Sequence, residues 1–337
     1  MDEHRTPERD AEYDDSIIFD IIEAEALCEN GEYEAALAFC DELLKELESW
    51  ENEDQVAKLI AEVMLCSGRC LGGLERFEDE LEVYNELVKR FDSLVSPDVI
   101  PLVFQARFNA AVATGQLERT ETSIQMYAAL VDRYQKSRNT KIRTQVAVAY
   151  YNWAIALKFS SRPNEALDKL NELIEKHESV LNAPEDSVII VNAIVSKMGL
   201  EIGMRKTSVA IDTGLVGLQK CKEEFVGERY HLHLALATAY FIENEEASAE
   251  DHVLQLLSLL PEIPEPRTLM SVAYFLREVT RKIGVDRVVE LIHRSPSVEV
   301  LSPLVEELRH SSRSLAGIKK TAQDLKVDFA SFGSFLN

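Results

Sequence analysis

The chain has 337 residues, 46% of them hydrophobic, with 59 acidic against 36 basic side chains and a formal net charge of −23. That hydrophobic share supplies a sizeable core and excludes wholesale disorder, while the charge repels phosphate backbones and anionic lipid, so neither nucleic acid nor a membrane is expected as a partner. Glycine (13) and proline (10) are scarce for the length, as in a chain filled by helices, and the fold class expected is all-α.

Residues 1–15, MDEHRTPERDAEYDD, are acidic, lack the apolar run of a secretory signal and are expected to be disordered. From 16 to 260 the sequence repeats. Landmarks in successive units, Cys40, Tyr84, Tyr127, Leu170 and Gly214, lie 44, 43, 43 and 44 residues apart, a constancy that signals a repeat architecture. Each unit holds two amphipathic runs, A and B. In the second unit the A run is read over 61–74, with Gly72 and Gly73 expected to let the chain reverse. B is then read from Phe77 to Phe91, with Phe77, Leu81, Tyr84, Leu87 and Val88 on one stripe.

The third unit reads QARFNAAVATGQ, a turn at Gly115, then Ile124, Tyr127, Leu130 and Val131; the fourth reads YYNWAIALKF, a turn at Ser160 and Ser161, and Pro163 at a helix start. Loops are expected at 93–99 and 181–187. Gly214 and Gly217 weaken the fifth B run by roughly 1 kcal/mol each. A sixth pair spans 230–244 and 246–260. PEIPEP (261–266) cannot continue a helix and marks a break. Beyond it, within 267–325, runs at 268–282, 286–294 and 299–310 are expected to cap the array. One helix pair cannot bury both its faces, but stacked pairs share a continuous core from nearest-neighbour contacts.

The tail 326–337 carries Phe329, Phe332 and Phe335 at a spacing of three, a narrow aromatic stripe if helical. It is read as packing on the capping helices, docking a partner, or occupying a groove of the chain itself.

Motifs for catalysis are missing: the sequence has no GxxxxGK[ST], GxGxxG after a strand, HExxH or GxSxG, so no catalytic residue and no cofactor is expected. Five cysteines, Cys28, Cys40, Cys66, Cys70 and Cys221, form an odd set without a disulfide framework, which fits a reducing compartment and a cytoplasmic location. Cys66 and Cys70 share a helical face, but no spaced Cys or His pair completes a zinc-finger pattern, and no metal site is expected. His231 and His233 point to different sides of a helix. Carboxylate pairs such as Asp79 with Glu80 read as a solvated helix face.

ENGEYEAALAFCDELL (29–44) resembles the turn and second helix of a tetratricopeptide repeat (TPR), with Gly31, Tyr33 and Ala36 at the turn glycine, aromatic and small crossing positions. Gly68, Ala111 and Ala154 match the small position of helix A. FNAA (108–111), YNWA (151–154), GLER and GQLER are similar to the signatures of bacterial TPR units, although the period exceeds the usual 34 and Glu80 and Ser123 stand at the small crossing position of B. The resemblance implies a right-handed superhelical array of antiparallel helix pairs, a TPR-like α-solenoid with a C-terminal helical cap.

It also implies that the fifth, sixth, ninth and twelfth residues of each A helix face a ligand: Leu65, Cys66, Arg69 and Gly72; Phe108, Asn109, Val112 and Gly115; Tyr151, Asn152, Ile155 and Lys158. Asn109 and Asn152, one period apart, would hold a peptide backbone, or else make hydrogen bonds between crossing helices. Phe108 and Tyr151 would anchor an apolar side chain, or else sit in the core. The basic clamp with which some TPR domains grip a terminal carboxylate has no match, since the fifth positions are Leu65, Phe108 and Tyr151. The function expected is a non-enzymatic scaffold or adaptor that binds an apolar or amphipathic segment of another protein in its concave groove. Two readings stand beside it: a peptide- or ligand-responsive sensor subunit, and, more remotely, an enzyme or enzyme subunit with an unrecognised site. Homo-oligomerisation is left open.

Overall fold

The computed structural model describes residues 15–49, 53–94, 96–177, 184–263 and 266–310, and no strand occurs among them. The helices are α1 (Asp15–Glu29), α2 (Tyr33–Glu48), α3 (Glu53–Gly73), α4 (Phe77–Phe91), α5 (Ile100–Gln116), α6 (Thr120–Tyr134), α7 (Thr140–Phe159) and α8 (Pro163–His177). They continue with α9 (Pro184–Gly203), α10 (Thr207–Lys220), α11 (Val226–Glu243), α12 (Glu246–Leu259), a 3-10 turn (Leu260–Glu262), α13 (Pro266–Ile283), α14 (Val285–Arg294) and α15 (Val298–His310). The chain divides within α8 into two compact units, residues 1–169 and 170–337.

In the first unit odd-numbered helices are the A helices and even-numbered the B helices. From α1 to α7 each packs on its neighbours in sequence. Successive A helices also touch, α1 on α3, α3 on α5 and α5 on α7, more than successive B helices do. The A helices therefore form a wall, and α3 and α5 are apolar on several sides because each meets two B helices and two A helices. A B helix buries one stripe: on α4, Tyr84, Leu87 and Phe91 are each at most 1% exposed at i, i+3 and i+7, and each such side chain contributes about 1.5–3 kcal/mol of burial.

In the second unit α9 pairs with α10, α10 and α9 both contact α11, and α11 pairs with α12. One core runs through Tyr230, Leu256, Val272, Leu276, Ile292 and Leu304, so α13, α14 and α15 share it with the helices on the other side of the proline-rich segment. Gly214 and Gly217 let α10 lie close to its neighbours: a Cβ at Gly214 would sit 2.4 Å from Met198 Cε, and one at Gly217 would sit 2.8 Å from Ile194 Cγ2 and Leu232 Cδ2.

The repeat is written into the A-to-B turns. Residues with left-handed backbone occur at Gly31, Glu75, Glu118, Ser161, Arg205 and Asn244, at intervals of 44, 43, 43, 44 and 39. At each turn two backbone bonds close the helix end, as in Glu75 N–H to the Gly72 carbonyl (3.0 Å) and Arg76 N–H to the Leu71 carbonyl (2.9 Å), repeated by Glu118 with Gly115 and Arg119 with Thr114. This pairing satisfies carbonyls left over at a helix C-terminus. Only the first turn uses glycine at that position.

The expected turn at Gly72 and Gly73 is therefore corrected, as is that at Gly115: all three are helical, and the reversal happens at Glu75 and Glu118. Gly72 and Gly73 instead permit close packing, since a Cβ at Gly73 would meet the Tyr33 ring at 2.5 Å. Gly68 does serve as the close-crossing residue, because a Cβ there would stand 2.3 Å from the Tyr84 ring. The A helices also begin earlier than expected: α3 starts at Glu53 rather than 61, and α7 at Thr140. Residues beyond a 34-residue period lengthen helix A in α3 (21 residues) and α7 (20 residues), less so in α5 (17 residues). Of the expected loop at 181–187, residues 184–187 are helical.

Candidate functional site

A cleft opens between α1, α3 and α5 on the A-helix wall of the first unit and encloses about 320 Å³. Its apolar lining is Ile18, Ile21, Ile22, Leu59, Leu65 and Leu102; its polar lining is Glu25, Lys58, Glu62, Arg69 and Gln105. The spacing of Lys58, Glu62, Leu65 and Arg69 along α3 puts them on one helical face. Ile18 and Ile22 are 42% and 54% exposed, open to a partner. Two ion pairs cross or edge the cleft, Arg69 to Glu25 at 3.0 Å and Lys58 to Glu62 at 3.5 Å. Burial pushes the Glu62 carboxyl above the ordinary range, against the pull of Lys58.

A second cleft of about 170 Å³ follows between α5 and α7, lined by Phe104, Gln105, Phe108, Asn109, Gln145 and Val148. Gln105 lines both. The Gln145 Oε1 atom is buried without a hydrogen-bond partner, an acceptor that a bound N–H group would satisfy.

The expected site residues divide among these surroundings. Leu65 and Arg69 line the first cleft, Phe108 and Asn109 the second. Phe108 also packs on Tyr127, ring centroids 5.9 Å apart. Asn109 Nδ2 donates to the Tyr84 hydroxyl at 3.2 Å, a bond between crossing helices, whereas Asn152 Nδ2 donates to the Val148 carbonyl of its own helix at 3.0 Å; the two amides do not act as equivalent rungs. Val112, Tyr151 and Ile155 are half-buried and Lys158 is exposed on α7, all four apart from both cleft linings. Cys66 is fully buried and turned from the cleft. Phe329, Phe332 and Phe335 lie outside the described residues. Ile18, Ile22, Leu59 and Gln145 escaped the sequence pattern because they sit on α1 or on early turns of A helices that the pattern starts too late, whereas Glu62 and Gln105 lie within the runs read but off the positions that the resemblance assigns to a ligand.

One buried group differs from expectation, and a second makes a contact that the sequence did not show. Glu80 is not on a solvated face: it is 8% exposed, packs over Gly72 and accepts from the Tyr84 hydroxyl, and burial raises its pKa to about 7. His233 meets His252, Nδ1 to Nδ1 at 2.9 Å, and burial, with His252 and Arg229 nearby, holds His233 down to about 4. Neither group lines the clefts. Ser123, at the same crossing position as Glu80, donates instead to the Ala111 carbonyl at 2.7 Å.

No protein-family model matches the chain, and a search of curated proteins finds no significant match. Solved structures do match. The apo form of RapI aligns over 92% of this chain and 86% of its own, with a TM-score of 0.59 at 15% identity. BtubC (BKLC) from P. vanneervenii aligns over 68% of this chain and 92% of its own, with a TM-score of 0.56 at 14% identity. Both are TPR-like repeat proteins.

The fold is that of a TPR-like α-solenoid. In TPR-like terms the two clefts lie on the A-helix wall. The ion pairs between B helices repeat with the units: Arg119 to Glu78 at 2.6 Å and Arg162 to Glu121 at 3.0 Å join equivalent positions. No helix among the described residues is long and apolar enough to cross a membrane.

Proposed function

We propose that this chain is a non-catalytic interaction module whose A-helix wall, from α1 to α7, holds an amphipathic segment of another protein. The observation that carries this reading is the pair of adjoining clefts, apolar at Ile18, Ile22, Leu59, Leu65, Leu102 and Phe108 and provided with amides at Gln105, Asn109 and Gln145. Apolar side chains of the segment enter the first cleft, where exposed isoleucines lose water on contact. Its backbone meets the amides of the second, and the unpartnered Gln145 Oε1 gains a donor. The mixed charge around the first cleft, Glu25 and Glu62 against Lys58 and Arg69, favours a segment that carries both signs beside its apolar face.

A non-catalytic role is supported by the placement of Glu80 and His233, two strongly shifted groups that are buried away from both clefts. The test is to capture partners with full-length wild-type and Ile22→Asp baits, synthesise the segment that wild type retains, and measure its Kd by fluorescence anisotropy. Because Ile22 is 54% exposed, the substitution leaves the fold intact. It is expected to weaken the segment at least about tenfold, the equivalent of 1.4 kcal/mol, and Gln145→Ala to weaken it further. Equal affinity for wild type and both variants would defeat the proposal.

A further inference from the structure

The spacing of Cys66 and Cys70 in the sequence leaves the pair isolated; the fold does not. Cys28 from the last turn of α1 joins them, and the three Sγ atoms lie within 4.8 Å of one another. Cys40 of α2 sits against Cys66. Three of the chain's five cysteines thus meet in one place and a fourth, Cys40, adjoins them through Cys66, brought there from three helices of the first hairpins. Cys40, Cys66 and Cys70 are fully buried, and Cys28, at 8%, is at the rim beside the α1–α2 turn.

We propose that Cys28, Cys40, Cys66 and Cys70 form a thiolate site for one Zn²⁺ ion. A tetrahedral zinc with Zn–S distances near 2.3 Å needs its sulfurs about 3.8 Å apart, so the sulfurs of Cys28, Cys66 and Cys70 need shift by no more than about an ångström, while Cys40, outside that trio, turns toward the ion from beside Cys66. Cys66 and Cys70, one helical turn apart, supply two ligands from one face, and the α1–α2 hairpin supplies the others from the opposite side. Each thiol that ligates gives its proton to solvent, leaving a net negative centre.

A second observation points to the same ligand. Arg69, between the two cysteines of α3, has a buried Nε with no hydrogen-bond partner while its outer nitrogen pairs with Glu25. The Arg69 side chain also lies beside Cys66. A metal-bound thiolate is the acceptor it lacks, and the guanidinium charge offsets that of the centre. Zinc at this point would tie α1, α2 and α3 together beneath the first cleft.

The experiment measures zinc in full-length protein purified under reducing, chelator-free conditions, and titrates the stripped, reduced protein with Co²⁺. The expected result is one zinc per chain, one equivalent of Co²⁺ with the absorption of tetrahedral thiolate coordination, and Cys221→Ser behaving as wild type. The double variant Cys66→Ser/Cys70→Ser, its helicity checked by circular dichroism, is expected to bind neither ion. Arg69→Ala is expected to weaken zinc about 10–100-fold. A reduced wild-type chain that takes up neither ion overturns the proposal, as does a double variant that binds like wild type, or a Cys–Cys bond in place of metal in protein alkylated at lysis. Should the double variant not fold, the wild-type titration decides.

Discussion

Gly68→Ala adds one methyl at the crossing of α3 and α4. Helix propensity alone would make it stabilising by about 1 kcal/mol. The structure reverses the sign. The new Cβ would lie 2.3 Å from Tyr84 Cε1 and 2.8 Å from its hydroxyl, on a ring that is 1% exposed and therefore has nowhere to go. Overpacking of this kind costs about 1–3 kcal/mol. If the ring swings aside, the Asn109 bond to its hydroxyl is lost as well, at about 1 kcal/mol. After the propensity gain is subtracted, a net loss of about 1–3 kcal/mol remains. Gly199→Ala is the matched control: it too is helical, and its added Cβ meets nothing within 4 Å, so a gain of about 0.5–1 kcal/mol is expected. Urea unfolding of both variants, followed by far-ultraviolet circular dichroism, should move the midpoints in opposite directions. A midpoint for Gly68→Ala raised as far as that of Gly199→Ala would refute the close crossing.

Other consequences can be measured in the same assay. Glu80 is protonated more readily in the folded chain (about 7 against 4.5), so between those values the folded state binds the extra proton and stability falls as pH rises, by an amount on the order of a few kcal/mol; Glu80→Gln should remove that part of the difference between pH 5 and pH 7.5, and an unchanged difference would mean the carboxyl is not buried as described. Asn109→Ala should cost about 0.5–1.5 kcal/mol through its bond to Tyr84, whereas Asn152→Ala, which gives up only a bond to its own helix, should be neutral or slightly stabilising. A double-mutant cycle on Arg119 and Glu78, an exposed pair, should return less than about 1 kcal/mol and shrink with added salt; a larger coupling would show the B-helix ladder to be more than surface decoration.

The period and the B helices were legible in the sequence because a B helix buries a single stripe: Phe77, Leu81, Tyr84, Leu87 and Val88 mark α4, whose limits, Phe77–Phe91, are those read from the pattern. The A helices were harder. An A helix touches neighbours on several sides, so its first turns, such as EDQVAKLI in α3, carry no clean stripe. Leu59 and Gln145 lie on such turns, and Ile18 and Ile22 on α1, and were missed with them; Glu62 and Gln105 lie within the runs read but off the positions that the resemblance assigns to a ligand. The turns misled in another way. Glycine is the usual left-handed residue, yet Glu75, Glu118, Ser161 and Arg205 take that backbone, held by paired helix-end bonds that the local sequence does not announce. The meeting of Cys28 with Cys66 and Cys70 depends on how α1 stacks on α3, a contact between successive helix pairs that linear spacing cannot reveal.

Photocrosslinking tests the central claim most directly. A photoreactive amino acid is placed either at position 105, where Gln105 lines both clefts, or at position 82, where Glu82 is exposed on the B helix α4, and each protein is irradiated with its bound partner. The account predicts a crosslink from position 105 to one amphipathic segment and none from position 82. A partner joined through position 82, with position 105 silent, would contradict it.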